Sequence, residues 1–312
     1  MKKVLVTGAA GGLGKLVLKY LLSEGKYEIT ALDLKNKNSY KVLKRYHRRV
    51  NVIYGDVTDP ILIDALVKEH DYIIHLASIR PSMSILKEKI STEIDYKGSE
   101  NIIRAITFYN PKCFLIFPST TNVYGKKNKP VNGNEKVSIA NSNYYTKTKI
   151  DIEKLIKEKL TNYVIYRVPT VLTRLDKEDF IYSTPLDDTC ELITASDAAY
   201  ALVKTIDSKK ELNKKIFNLG GGETCITTFR ELIINILKIR GINFKYIWSL
   251  LFLEKDFYGY TFTDSEKLEN ILHYQSESIA SYLMQMKRYS RDRKINKIFA
   301  RPFIYLLSKK VK

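Results

Sequence analysis

The stretch Lys3-Val4-Leu5-Val6-Thr7-Gly8-Ala9-Ala10-Gly11-Gly12-Leu13-Gly14 decides how this chain folds. Lys3 to Thr7 reads as a buried strand, and Leu13 to Leu22 carries apolar residues at helical spacing. Between them Gly8 permits a tight turn, Gly11 lets backbone approach a pyrophosphate, and Gly14 lets helix and strand pack closely. Gly12 and Leu13 open the helix, whose free N–H groups point at the place a phosphate would occupy. A glycine-rich turn alone is weak evidence; set between a strand and a helix it predicts a nucleotide site.

Outward from that turn the pattern repeats. Tyr27–Leu32, Val50–Tyr54, Tyr72–Leu76, Cys113–Phe117 and Tyr163–Tyr166 read as strands. Helical stretches separate them: Pro60 to Lys68, about Met83 to Phe108, and about Tyr144 to Leu160. Such alternation predicts an α/β, Rossmann-type doubly wound parallel sheet covered on both faces. After Val168 the rhythm breaks. Residues 169–194 read as irregular, Ser196–Ile206 as a helix, and Lys215–Leu219 as a last strand. The expected division is a cofactor domain of residues 1–168 and 196–220. A smaller, mostly helical substrate lobe would take 169–195 and 221–312.

Composition bounds the class. The chain has 312 residues, 45% hydrophobic and 28% charged, with 14 Gly and 8 Pro, which excludes disordered and fibrous proteins. No apolar run approaches a membrane span; Ile247–Leu253 comes nearest. Met1–Val6 imitates the start of a signal peptide, but the glycines cut its apolar run short. Cys113, Cys190 and Cys225 form no CxxC, so neither a disulfide framework nor a metal site is expected. The expected setting is cytoplasmic.

The net charge is +18, from 52 Lys+Arg against 34 Asp+Glu. Half of it lies in Lys287–Lys312, where cations alternate with Ile295, Ile298, Phe299, Phe303 and Ile304. A second basic run spans Lys35–Arg49. Solvated faces explain most charge runs. The tail also has the makings of a peripheral contact with the anionic inner face of a membrane. Nucleic acid is the poorest candidate partner, because no recognised module accompanies the charge.

Several strand ends carry candidate ligands. Asp33 closes the second strand, where a carboxylate accepts from ribose hydroxyls and repels a 2′-phosphate, favouring NAD over NADP. Asp56 and Val57 follow the third strand near the expected adenine. Leu76 and Ala77 follow His75, small enough for backbone to lie along a cofactor; His75 itself reads as structural. Tyr145 and Lys149 stand four apart on a helix, hence on one face. An ammonium and a nicotinamide cation near a phenol would lower its pKa, by about 4 kcal/mol of differential interaction for about 3 units.

Together these motifs resemble the extended short-chain dehydrogenase/reductase superfamily, specifically its NAD-dependent epimerase/dehydratase family. The matching residues are Gly8, Gly11 and Gly14, Asp33, the stretch at Asp56, His75-Leu76-Ala77-Ser78, Tyr145 with Lys149, Asp197 and Asn218–Gly222. The resemblance implies that Tyr145 is the general acid/base and that Lys149 holds the nicotinamide ribose. It also implies that Thr120 hydrogen-bonds the reacting carbinol.

Three departures narrow the reaction. Thr121 and Asn122 stand where sugar dehydratases carry Asp-Glu, which argues against water elimination. Cys190 occupies the place of an arginine that grips a diphosphate, with Arg80, Arg167 or Arg174 as substitutes. Asp95 replaces the usual Asn of an Asn-x-x-Gly-Thr segment. The expected activity is an NAD-dependent epimerase or oxidoreductase acting on a secondary hydroxyl of a sugar-like small molecule, free or nucleotide-linked. A simple alcohol dehydrogenase and a non-catalytic NAD-binding protein are the alternatives, and a homodimer is compatible with each.

Overall fold

The computed structural model describes residues 1–79, 93–127, 129–139, 142–173, 185–240 and 258–292. Expectations that fall on Arg80, residues 83–92, Arg174, the run 247–253 and the basic tail after residue 292 lie outside the described residues.

Seven strands form one parallel sheet: β1 (Lys2–Thr7), β2 (Tyr27–Asp33), β3 (Asn51–Tyr54), β4 (Tyr72–His75), β5 (Phe114–Thr120), β6 (Tyr163–Val168) and, after three short strands, Lys215–Asn218. Their spatial order runs from β3 through β2, β1, β4, β5 and β6 to Lys215–Asn218. This is the doubly wound order, with the chain reversing direction across the sheet between β1 and β4. The central strands are mostly apolar because both faces are covered. Val4 and Val6 point into one core with Ile29, Ile74, Phe114 and Ile116; the Gly12–Glu24 and Ala195–Lys204 helices cover that side. Leu5 points into the other with Leu32, Ile73, Leu115 and Ile165, beneath helices Pro60–Lys68, Gly98–Tyr109 and Tyr144–Lys159.

Local chemistry sets the helix ends. Val17, Leu18 and Leu21 recur on the buried face of Gly12–Glu24, which ends at Gly25 in the left-handed conformation. Asp59 caps Pro60–Lys68 by accepting from the N–H groups of Ile61 and Leu62, with Pro60 in the first turn.

Two expectations are corrected. Residues 169–194 contain short strands: β7 (Val171–Leu172) pairs in parallel with β9 (Ile193–Thr194), and β8 (Thr189–Glu191) pairs antiparallel with Ile226–Thr228. Strands of two or three residues show no readable alternation. Within the described part of the helix expected from about Met83 to Phe108, Glu93–Lys97 is a π-turn and Gly98–Tyr109 a regular α-helix. A smaller core gathers Leu172, Cys190 and Leu192 with Phe229, Leu232, Ile236 and Tyr282.

Candidate active site

A cleft of about 260 Å³ opens where the strand order reverses, lined by Gly8, Gly11, Asp33, Asp56, Val57, Leu76 and Ala77 among others. Gly8 has φ +65°, and a Cβ there would lie 2.7 Å from the Ala77 nitrogen, so glycine alone lets the β1 turn touch the end of β4. A Cβ at Gly14 would strike the Gly8 carbonyl oxygen. Gly12, Leu13 and Gly14 form the first helical turn and do not line the cleft. Asp33 accepts from the Ala10 N–H at 2.8 Å through Oδ2, which ties the β2 carboxylate to the glycine turn. Burial pushes its carboxyl up, opposed by the N–H groups of Ala10 and Leu34. Asp56 accepts from the Thr58 N–H at 2.9 Å.

Asn36, Asn38 and Ser39 also line the cleft. Asn36 caps the Lys37–Leu43 helix, accepting from Asn38 N–H and Ser39 N–H, while Ser39 Oγ accepts from Asn36 N–H. That reciprocal cap was legible as Asn-x-x-Ser but lay hidden inside a run of cations. The residues present fit a dinucleotide: a turn that excludes Cβ atoms, a helix N-terminus, and an acid beyond β2.

Across β4 lies a second cluster. Tyr145 and Lys149 share one face of the Tyr144–Lys159 helix, which Asn143 caps by accepting from Thr146 N–H at 2.9 Å. The Lys149 side chain is 4% exposed. Its Nζ lies 5.6 Å from the Tyr145 ring centroid and 4.8 Å from that of Phe117, and it donates to the Pro118 carbonyl at 3.4 Å. This carries the ammonium to the carboxyl end of β5, where Thr120 sits. Thr120 Oγ1 accepts from the Asn122 N–H at 3.3 Å, so its own hydroxyl hydrogen can be donated elsewhere. The 260 Å³ cleft is not lined by Tyr145, Lys149 or Thr120. Asp95, next in sequence to the cleft residue Ile94, is hydrogen-bonded to the cleft residues Ser78 and Ile79.

The lowering expected for the Tyr145 pKa depends on a nicotinamide cation; the protein's own surroundings act in the opposite direction. Burial pushes the phenol up, and the Asp95 carboxylate adds to that. Lys149 does not offset it. Its ammonium lies beside the ring, and burial pulls its own pKa down against the carboxylates of Asp95 and Glu153.

Arg167 is also corrected as a diphosphate-binding candidate. It is 2% exposed and committed to Glu153, with Nη2 donating to Oε2 at 2.8 Å and Nε to Oε1 at 3.2 Å. Nη1 donates to the carbonyls of Gly133 and Glu135, and Ser119 Oγ donates to Glu153 Oε1 at 2.6 Å. Cys190 is buried and its thiol donates to the Thr227 carbonyl. Asp197 accepts from Ser276 Oγ and from the N–H groups of Ser276 and Glu277, a structural tie. His75 is structural as expected. It bridges Thr7 Oγ1 at 2.7 Å and Ser99 Oγ at 3.0 Å, and burial, with Lys149 adding, depresses its pKa to about 3.

A doubly wound sheet with a glycine-rich turn at its switch point and an acid beyond β2 defines a dinucleotide-binding protein. The family profile described as "NAD dependent epimerase/dehydratase family" matches residues 4–220. The chain belongs to that family. UDP-N-acetyl-alpha-D-glucosaminuronate decarboxylase of Bacillus cytotoxicus is 31% identical over 134 residues, 41% of this chain and 40% of that protein. UDP-glucose 4-epimerase of Yersinia enterocolitica is 28% identical over 166 residues, 50% of this chain and 48% of that protein. The chain thus spans about half, or less, of the curated relatives it matches. Among solved structures, UDP-glucuronic acid 4-epimerase from Bacillus cereus, in complex with UDP-glucuronic acid and NAD, superposes with a TM-score of 0.75. It is 20% identical, and the match covers 93% of this chain and 99% of that one, a likeness of fold.

Proposed function

We propose that this protein is an NAD-dependent epimerase-type oxidoreductase acting on a secondary hydroxyl of a sugar-like substrate, free or nucleotide-linked. The observation that carries the reading is the pairing of Tyr145 with Lys149 on one helix face, the ammonium reaching the end of β5 beside a cleft shaped for a dinucleotide. Tyr145 is the group that takes the proton of the reacting hydroxyl and returns it to the product. Thr120 orients that hydroxyl through its own O–H. Lys149 holds the nicotinamide ribose. Gly8 and Gly11 with the first turn at Gly12, Leu13 and Gly14 hold the pyrophosphate. Asp33 takes the adenosine ribose, Asp56 and Val57 the adenine, and Leu76 and Ala77 flank the chain between them. NAD, when bound, supplies the acceptor for the hydride that leaves the carbinol carbon.

Residues 169–195 and 221–312 are assigned to the substrate lobe. Thr121 and Asn122 supply no carboxyl acid or base for water elimination, which favours epimerisation over dehydration. The alternative of a simple dehydrogenase is separated by one experiment. The purified protein is denatured, its nucleotide identified, and sugar nucleotides and free alcohols are screened. An epimerase releases bound NAD and inverts a carbinol without net absorbance change at the NADH wavelength; stoichiometric NADH formation supports the dehydrogenase. Protein that carries no nucleotide and binds none added overturns both. Among the described residues no helix is long and apolar enough to cross a membrane. A peripheral role for the basic tail is tested by liposome partition before and after deletion beyond Lys294.

A further inference from the structure

The basic run Lys35–Arg49 takes no part in the chemistry above, and it lies wholly within the described residues. It holds seven Lys or Arg and no acid, and all seven side chains are exposed. Among the described residues none of the seven makes a salt bridge. Cations elsewhere on the surface do find carboxylates. Lys2 and Lys26 reach Asp207 at 3.8 and 2.8 Å, and Lys204 reaches Glu24 at 2.8 Å.

The run is held firmly at both ends. The Lys37–Leu43 helix closes on buried Leu43, and the chain returns to the core at buried Val50. Successive turns join these anchors. Tyr46 N–H donates to the Leu43 carbonyl at 2.9 Å, and the N–H groups of Arg49 and Val50 donate to the Tyr46 carbonyl at 2.8 and 3.0 Å. Tyr46 packs against the core beside β1, and His47 Nδ1–H donates to the Lys44 carbonyl. Lys44, Arg45, Tyr46, His47, Arg48 and Arg49 thereby surround an open hollow of about 470 Å³. It shares no lining residue with the dinucleotide cleft, which takes Asn36, Asn38 and Ser39 from the opposite end of the same helix. The seven residues of that helix span about 10 Å.

Helix chemistry accounts for only part of this charge. Lys41 in the last turn and Lys44 at the C-cap complement the negative end of the helix. Arg45, Arg48 and Arg49 follow the cap, outside the last turn, where that attraction has fallen away. Lys37 and Lys41, four apart on the helix, repel each other. A fixed turn that gathers like charges without a counter-charge gains stability from any anion that fills it.

We infer that this hollow is a binding site for an anion carrying several phosphates, separate from the dinucleotide cleft. Three guanidinium forks offer paired N–H donors to phosphate oxygens, and Lys44 adds a point charge. The hollow is larger than one phosphate group fills, which favours linked phosphates, free in solution or at the head of a lipid. Such a site exists whatever reaction the cleft supports.

The test is binding of inorganic tripolyphosphate to the full chain, by calorimetry at constant ionic strength, with and without saturating NAD. Arg45→Gln/Arg48→Gln/Arg49→Gln removes the three forks and should bind at least about tenfold more weakly than wild type. Should that protein fail to fold, Arg48→Gln/Arg49→Gln should still lose at least about threefold. Lys154→Gln/Lys157→Gln/Lys159→Gln removes the same net charge from an exposed helix end and should stay within about twofold of wild type. A second arm measures co-sedimentation with phosphatidylcholine vesicles with and without phosphatidic acid. Loss of binding confined to the arginine variant supports the site in either arm; the calorimetric arm then assigns free phosphates and the vesicle arm a lipid headgroup. Equal losses in the arginine and lysine variants, displacement of tripolyphosphate by NAD, or no binding in either arm overturns the site. A protein that binds no NAD yet shows the arginine-specific loss would refute the dinucleotide reading and leave this site standing.

Discussion

The two ends of the site are built on different principles. At the nucleotide end, the groups that matter are backbone and strand termini: Gly8 against Ala77, Ala10 N–H on Asp33, and Asn36 capping a short helix. At the Tyr145 end they are ionisable side chains withdrawn from water, Lys149, Asp95, Glu153 and Arg167. The first end discriminates by shape and can lose one contact without collapse. The second is a charge balance in low dielectric, where removing one member leaves another uncompensated.

Mutations at the Tyr145 end should therefore be the more costly. Tyr145→Phe should lower kcat by about 10²–10⁴-fold, the usual worth of a positioned acid/base, with NAD affinity unchanged. Stopped-flow or product assays on the identified substrate read this, and a rate within threefold of wild type removes Tyr145 from the chemistry. Glu153→Ala strands Arg167 and should destabilise the fold by about 3–5 kcal/mol in denaturant titrations. A loss below 1 kcal/mol would show that the arginine finds another partner.

The nucleotide end should yield smaller, more selective losses. Asp33→Ala removes hydrogen bonds to a charged acceptor, worth about 1.5–3 kcal/mol, so NAD should bind about 10- to 100-fold more weakly in calorimetry while NADP changes less. Equal loss for both would end the preference for NAD. A last effect, spread over several pH units, concerns the joint between the ends. His75 ordinarily titrates near 6.5 and is depressed to about 3 here. Below pH 6.5 the unfolded chain takes up a proton that the folded one refuses. Stability should thus fall by about 1.4 kcal/mol per pH unit from His75 alone as pH drops from about 6.5 towards 3, and it is fully retained above that window. His75→Asn should flatten this slope in urea titrations at successive pH values.

The same contrast explains what the sequence disclosed. Gly8, Gly11, Asp33 and the Tyr145–Lys149 spacing are legible because their partners are close in the chain or fixed by the strand-turn-helix unit. The parallel sheet followed from apolar runs at regular intervals. Arg167 is read from sequence as a possible substrate ligand because its partners, Glu153, Gly133 and Glu135, come from a helix and a loop whose placement against β6 no motif announces. Asp95 stands out in the sequence as a replacement for Asn, but its hydrogen bonds to Ser78 and Ile79 exist only in the folded chain. The raised phenol was not foreseen because burial depends on the completed core.

The π-turn at Glu93–Lys97 has a practical corollary for protein engineers. A π-turn accommodates one more residue than an ordinary helical turn, and each α-helical residue advances the azimuth by about 100°. A single-codon deletion there, harmless on paper, would tighten the coil and swing Asp95 away from β4, or else drag Ser99 off His75. Homologues lacking that extra residue would therefore need a gap placed within these five positions, and a gapless superposition would pair the wrong side chains.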